Sequence, residues 1–216
     1  MPENLFETRY DLTKKSKLRE FYESNKILIY SSILALIIIF ASYTYYQVNK
    51  EKKIILLSEN YIQAKIYLES GNKTEALEIL KKVISSNDPT YSTLSFFMIL
   101  NENLVNETNE VSRLFDYLLE NNKFDKEIRN LLLYKKALYK SNYVDELNLL
   151  EETKTLLYNE ESVWRAHALL LLGDFYFSRK EYIKAKDFYI QTLSIKNLHT
   201  DLYVQASSRL ALIADD

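Results

Sequence analysis

Residues 27–48 read ILIYSSILALIIIFASYTYYQV, twenty-two positions without a single charge. Nothing else in the chain restricts its folding so strongly. As an α-helix rising 1.5 Å per residue, such a run covers about 33 Å, enough to cross a hydrocarbon core of about 30 Å. Lys26 bounds it on one side and Lys50-Glu51-Lys52-Lys53 on the other. Tyr30 near one end and Tyr43, Tyr45 and Tyr46 near the other match the aromatic belts of the two membrane interfaces. A water-soluble core could bury such a cylinder only with apolar partners on every side, and no other stretch supplies them. A cleaved signal peptide has a shorter apolar region of about 7–15 residues followed by a small-x-small site. Here the run is longer and ends in bulky tyrosines, so it reads as an uncleaved transmembrane anchor.

Charge on the flanks orients the anchor. Residues 12–26 carry five basic groups (Lys14, Lys15, Lys17, Arg19 and Lys26), and residues 49–63 carry three (Lys50, Lys52 and Lys53). The excess points the N-terminus into the cytoplasm. Three segments follow: a cytoplasmic tail over 1–26, a transmembrane anchor over 27–48, and a domain over 49–216 on the far side. In a Gram-negative cell the anchor lies in the inner membrane and the domain in the periplasm. The absence of cysteine is compatible with that oxidising compartment.

Composition narrows the function classes. With 28 basic and 30 acidic residues the net charge is −2, without the basic excess expected of a nucleic-acid binder. The lack of cysteine removes disulfides, thiol nucleophiles and Cys-based metal sites. Two glycines and two prolines are too few for a glycine-rich phosphate loop or a dinucleotide fold. The two histidines, His167 and His199, show no metal-ligand spacing; the first reads as a surface or packing residue, the second as a turn residue. The acid pairs Glu151-Glu152 and Glu160-Glu161 read as solvated carboxylates near helix ends without partners. No cofactor, catalytic residue or small-molecule substrate is expected, and the chain reads as a non-enzyme.

Beyond the anchor, apolar residues recur at steps of three and four, the period of an amphipathic helix. Ile55, Tyr61, Ile62, Ile66 and Tyr67 form one stripe, interrupted at Glu69-Ser70-Gly71-Asn72. A second helix begins around Ala76 and ends at Ser85-Ser86-Asn87-Asp88-Pro89, because proline cannot continue a helix. Near the end, Trp164–Arg179 and Glu181–Ile195 are two helices separated only by Lys180, hence antiparallel neighbours. Gly173 costs its helix about 1 kcal/mol relative to alanine, which is tolerated where a neighbouring helix must approach closely. Between these hairpins, Tyr91–Leu104 with Val111–Leu119 and Ile128–Tyr139 with Val144–Leu157 form two degenerate pairs, with turns at Asn121-Asn122 and Ser141-Asn142. Asp201–Ile213 is a closing helix.

Leu172-Gly173, Tyr176, Tyr182, Ala185 and Tyr189 have the spacing of a tetratricopeptide repeat, and the last hairpin resembles that family. Ala64, Tyr67, Gly71, Ala76 and Leu80 resemble it more weakly. The fold expected is all-α: one N-terminal transmembrane helix, then helical hairpins that the resemblance makes a tetratricopeptide-like α-solenoid of about four hairpins plus a capping helix. Stacked hairpins form a groove lined by their first helices. The groove-facing steps are Tyr61, Lys65 and Leu68 in the first hairpin and His167, Leu170, Asp174 and Phe177 in the last. This mixture suits an extended or helical peptide; packing against the closing helix or a neighbouring repeat is the alternative. Members of the family that grip a C-terminal carboxylate use clustered basic and amide side chains here, and Leu170 and Asp174 do not supply them.

The whole layout resembles the YfgM-type ancillary subunits of the Sec translocon. That resemblance implies protein partners at the translocon and among periplasmic chaperones, and a role in assisting secreted proteins. An envelope scaffold for cell division or outer-membrane assembly is the second expectation, and a membrane-tethered enzyme the third.

Overall fold

A computed structural model describes residues 17–158 and 162–214. The first part of the expected tail, with Lys14 and Lys15, and the acid pair Glu160-Glu161 lie outside the described residues. Among the described residues there are nine helices and no strand. They are α1 (Lys17–Glu69), α2 (Lys73–Ile84), α3 (Pro89–Asn101), α4 (Thr108–Asn121), α5 (Lys126–Lys140), α6 (Glu146–Leu157), α7 (Trp164–Ser178), α8 (Tyr182–Leu193) and α9 (Thr200–Ala214). The chain divides into two compact units, the first ending at Leu56 and the second beginning at Leu57.

In the first unit the apolar run lies within α1, which passes through positions 26/27 and 48/49 without a break. Its large side chains are exposed, Ile39 to 64% and Phe40 to 70%. None of its most apolar window is buried. A core helix of a water-soluble protein would be covered, so this is a candidate membrane-spanning helix by length, composition and exposure.

The second unit is a succession of helical hairpins. The first pairs the end of α1 with α2, and Ala64, Ala76, Leu80 and Ile84 are buried in one apolar cluster. The turn between them closes through Gly71, whose φ of +82° is the left-handed conformation that glycine adopts without strain. Asn72 N–H donates to the Tyr67 carbonyl at 2.8 Å and Gly71 N–H to the Leu68 carbonyl at 3.0 Å, satisfying the last carbonyls of α1. The hairpin of α7 and α8 closes the same way at Lys180, φ 62°, with Glu181 N–H on Tyr176 and Lys180 N–H on Phe177.

The helix boundaries agree with the periodicity to within a few residues, and the differences have local causes. The third helix starts at Pro89, ahead of the expected Tyr91. Asp88 caps it, its carboxylate accepting from the backbone N–H of Thr90 and Tyr91 at 3.1 and 2.9 Å. Proline at the first helical position lacks only an N–H that would be unpaired anyway. The helix ends early because Asn103 turns left-handed at φ 50°. Asp125 and Asp145 cap α5 and α6 in the same manner as Asp88.

Two apolar clusters hold the array. One gathers residues from α1 to α4, including Phe96 and Phe115, whose rings meet edge-on at 4.4 Å. The other runs from α5 to α9, around Leu172, Tyr176 and Tyr189. Gly173 accounts for the close approach of α7 and α8: a Cβ there would lie 2.4 Å from Tyr189 Cε1. The expected closing helix is α9, which buries Leu202 and Ala206 against the second cluster.

Candidate functional site

The first helices of the later hairpins and the closing helix are α5, α7 and α9. Together with the loop between α8 and α9 they enclose a cleft of about 780 Å³. Ala166, Leu170 and Leu202 supply its apolar surface, and Tyr134, His167 and Gln205 carry polar atoms into it. Lys196 and His199 lie along the loop at its edge. The volume falls within the range of about 300–1,000 Å³ typical of ligand sites.

Local packing fixes the aromatic wall. Tyr134 stacks on Trp164 at 5.5 Å between ring centroids, and the His167 ring meets both, at 5.4 Å from Tyr134 and 4.9 Å from Trp164. His167 Nδ1 lies 3.1 Å from the Val163 carbonyl oxygen. A carbonyl only accepts, so this contact places the proton on Nδ1 and leaves Nε2 as an acceptor in the neutral ring. Below the wall, Asn130 Nδ2 donates to Ser162 Oγ at 3.1 Å, both side chains buried. Burial, reinforced by the nearby Asp174 carboxylate, pushes the Tyr134 phenol up and keeps it a hydrogen-bond donor.

Of the side chains expected in the groove, His167 and Leu170 line this cleft. Asp174 is engaged elsewhere: Arg209 Nε on α9 lies 2.6 Å from its Oδ1, and Tyr189 OH donates to the same oxygen at 2.9 Å. Phe177 packs on the second apolar cluster and meets the Tyr182 ring at 5.6 Å. In the first hairpin, Tyr61 and Leu68 pack on the first cluster, with Tyr61 against Tyr91 at 6.3 Å, while Lys65 is exposed. Leu170 is at the same time a buried member of the second cluster, 6% exposed, so the alternative of packing describes Tyr61, Leu68 and Phe177 and most of the Leu170 side chain.

Tyr134, Leu202 and Gln205 escaped the sequence reading. Tyr134 precedes His167 by 33 residues and Gln205 follows Leu170 by 35, close to one repeat length. That spacing was the available signal. A second correction concerns Glu152, expected to be a solvated carboxylate without partners. Its side chain is 18% exposed and pairs with Lys136 at 2.9 Å and with Lys140. Glu151, one step round the helix, does face solvent and pairs with Lys154 at 3.2 Å. Among the described residues no group of three or more His, Cys, Asp or Glu side chains is placed to hold a metal ion.

Residues 60–89 match the tetratricopeptide-repeat family model. No curated protein and no solved structure matches the chain. The matched stretch is the hairpin of α1 and α2, which the motif spacing ranked below the last hairpin. Its left-handed glycine turn and its small residue at Ala64 are what the last hairpin replaces with Lys180 and Gly173. The chain thus carries a tetratricopeptide repeat, the unit of a protein–protein interaction module, at the start of an all-helical array.

Proposed function

We propose that the protein is a membrane-anchored, non-enzymatic module whose cleft between α5, α7 and α9 receives an extended segment of a protein partner. The cleft itself carries this reading. It offers an apolar surface for an anchoring side chain, an aromatic wall, and a few polar atoms to orient a peptide backbone. Residues 27–48 form the anchor, 1–26 the cytoplasmic tail and 49–216 the periplasmic domain, on the strength of the flanking charges. The layout resembles YfgM-type ancillary subunits of the Sec translocon, which favours translocon subunits and periplasmic chaperones as partners. Tethering supports the same role: a groove held beside an exit channel meets emerging chain at a far higher effective concentration than a free protein would.

Photo-crosslinking from Gln205, an exposed side chain of the cleft, in native membranes tests the reading. Capture of translocon channel subunits and of secreted chains in transit is the expected result. Capture of only division or outer-membrane assembly proteins would replace the translocon with an envelope scaffold. No adduct at Gln205, with adducts from exposed Ile183 on α8 outside the cleft, would remove the cleft from the account. Protease added to spheroplasts should cut the C-terminal domain from outside, and protection would reverse the orientation.

A further inference from the structure

We propose that the helical array bends at a polar seam between its second and third hairpins, and that Lys136 is the clasp that holds this seam closed. The buried members of the two apolar clusters do not overlap: the first takes them from α1 to α4, with Tyr139 of α5 packed against its edge, and the second from α5 to α9. Lys136 on α5 bridges them. Its ammonium lies 2.6 Å from Asp116 Oδ1 on α4 and 2.9 Å from Glu152 Oε2 on α6. Lys140 holds the other oxygen of Glu152. The Lys136 side chain is only 12% exposed. The connection from α4 to α5 is polar as well. Asn122 is buried with its Oδ1 unpartnered, and Arg129 Nη1 donates to the Leu119 carbonyl at 2.9 Å. Apolar contact across the seam includes Phe115 against Tyr139 at 6.3 Å.

The physics of the two kinds of contact differs. Interlocked apolar side chains resist any sliding, because each displacement opens a void. Charged groups that separate are taken up by water, so the Lys136–Asp116 pair that crosses the seam, its carboxylate already 46% exposed, opens at a smaller cost than a cluster does. In a repeat array each hairpin is tied only to its neighbours, so one weak junction lets two firm blocks move against each other. The cleft lies wholly on the later block. Bending therefore changes the distance from the cleft to the first hairpins without deforming the cleft.

The chain has no cysteine, so spin labels can be placed on introduced cysteines in the full-length protein. Exposed Lys82 and Lys186 report across the seam, and exposed Glu151 with Lys186 reports within the later block. In Lys136→Met, pulsed dipolar spectroscopy should show the 82/186 distance distribution widened at least twofold, with 151/186 unchanged. Lys136→Arg keeps the charge and should keep the native width. Asp116→Asn loosens only the α4 side of the clasp, and should widen 82/186 by a smaller factor even if Lys136→Met does not fold. A native 82/186 width in both Lys136→Met and Asp116→Asn overturns the proposal, as does equal widening of 151/186.

Discussion

Substituting Gly173 by alanine sets two effects of opposite sign against each other. Helix propensity alone favours alanine by about 1 kcal/mol. Packing opposes it. The added methyl carbon would lie 2.4 Å from Tyr189 Cε1, 2.6 Å from Cδ1 and 3.1 Å from Cζ. These atoms belong to a rigid ring that is fully buried. Its hydroxyl is held by Asp174 at 2.9 Å, so the ring cannot swing aside without losing a hydrogen bond to a carboxylate. Forcing an extra methyl into a filled core costs about 1–3 kcal/mol, and the pinned ring puts this site at the upper end. The net expectation is a loss of about 1–2 kcal/mol. For a domain the size of Leu57–Asp216 that lowers the unfolding midpoint by about 3–6 °C.

Circular dichroism at 222 nm on the detergent-solubilised full chain measures the shift. The Tyr189→Leu background supplies the control. With the ring gone, Gly173→Ala should become neutral or raise stability by up to about 1 kcal/mol, the propensity term alone. The difference between backgrounds is the coupling of the two positions. A rise in midpoint for Gly173→Ala alone, or equal effects in both backgrounds, would refute the close approach of α7 and α8.

Three further expectations rest on single residues. Gly71→Ala should cost about 1 kcal/mol through its left-handed backbone, since a Cβ there meets nothing, while Lys180→Gly should raise stability by about 0.5–1 kcal/mol; urea midpoints read both. Asp88→Ala removes the acceptor for two backbone N–H groups at the start of α3 and should cost about 1 kcal/mol, with amide exchange in that first turn accelerated. Burial pushes the Glu152 carboxyl up, but the hydrogen bonds from Lys140 and Lys136 outweigh it and hold the group below the usual carboxylate value. Its stabilisation is therefore present above the unfolded value and lost as pH falls through the folded one, so Glu152→Gln should flatten the acid limb of stability between pH 5 and about pH 3. Burial of Asp174 wins over Tyr189 and Arg209 and raises its pKa above the usual value, so the carboxylate is held at a cost relative to the unfolded chain, and Asp174→Asn should change the slope in the opposite direction.

Much of the fold was legible because hairpin boundaries are written in residue types with fixed backbone consequences. The apolar period of three to four marks each helix, and Gly71, Pro89 and the asparagines mark its ends. Lys180 was not legible as a left-handed residue, since nothing in a lysine requests that conformation. The comparison of hairpins supplies what the residue alone does not. Lys180 stands 109 positions after Gly71, as Gly173 does after Ala64, Tyr176 after Tyr67, Ala185 after Ala76 and Tyr189 after Leu80. Read in that register, the last hairpin enlarges one partner and shrinks the other. Leucine with alanine in the first becomes tyrosine with glycine in the last. The double variant Gly173→Ala with Tyr189→Leu restores the first hairpin's pair in the last hairpin, which is why it isolates packing from propensity.

The candidate site was half legible for a different reason. Periodicity along one helix states which residues share a face, and it groups His167, Leu170, Asp174 and Phe177 along one side of α7. What each residue meets depends on the register of other helices. Arg209 arrives from α9 and occupies Asp174; Tyr134 arrives from α5 and completes the wall beside His167. The same limit explains Glu152. Its sequence neighbours match those of any exposed acidic pair, yet one step of about 100° turns it from solvent, where Glu151 sits, to the face of α5 where Lys136 and Lys140 wait. A carboxylate buried between two ammonium groups is retained against its own desolvation only because both partners come from α5. The seam therefore depends on how α5 is seated between the two clusters, and any change that rotates α5 about its axis should loosen the clasp and displace Tyr134 from the cleft together.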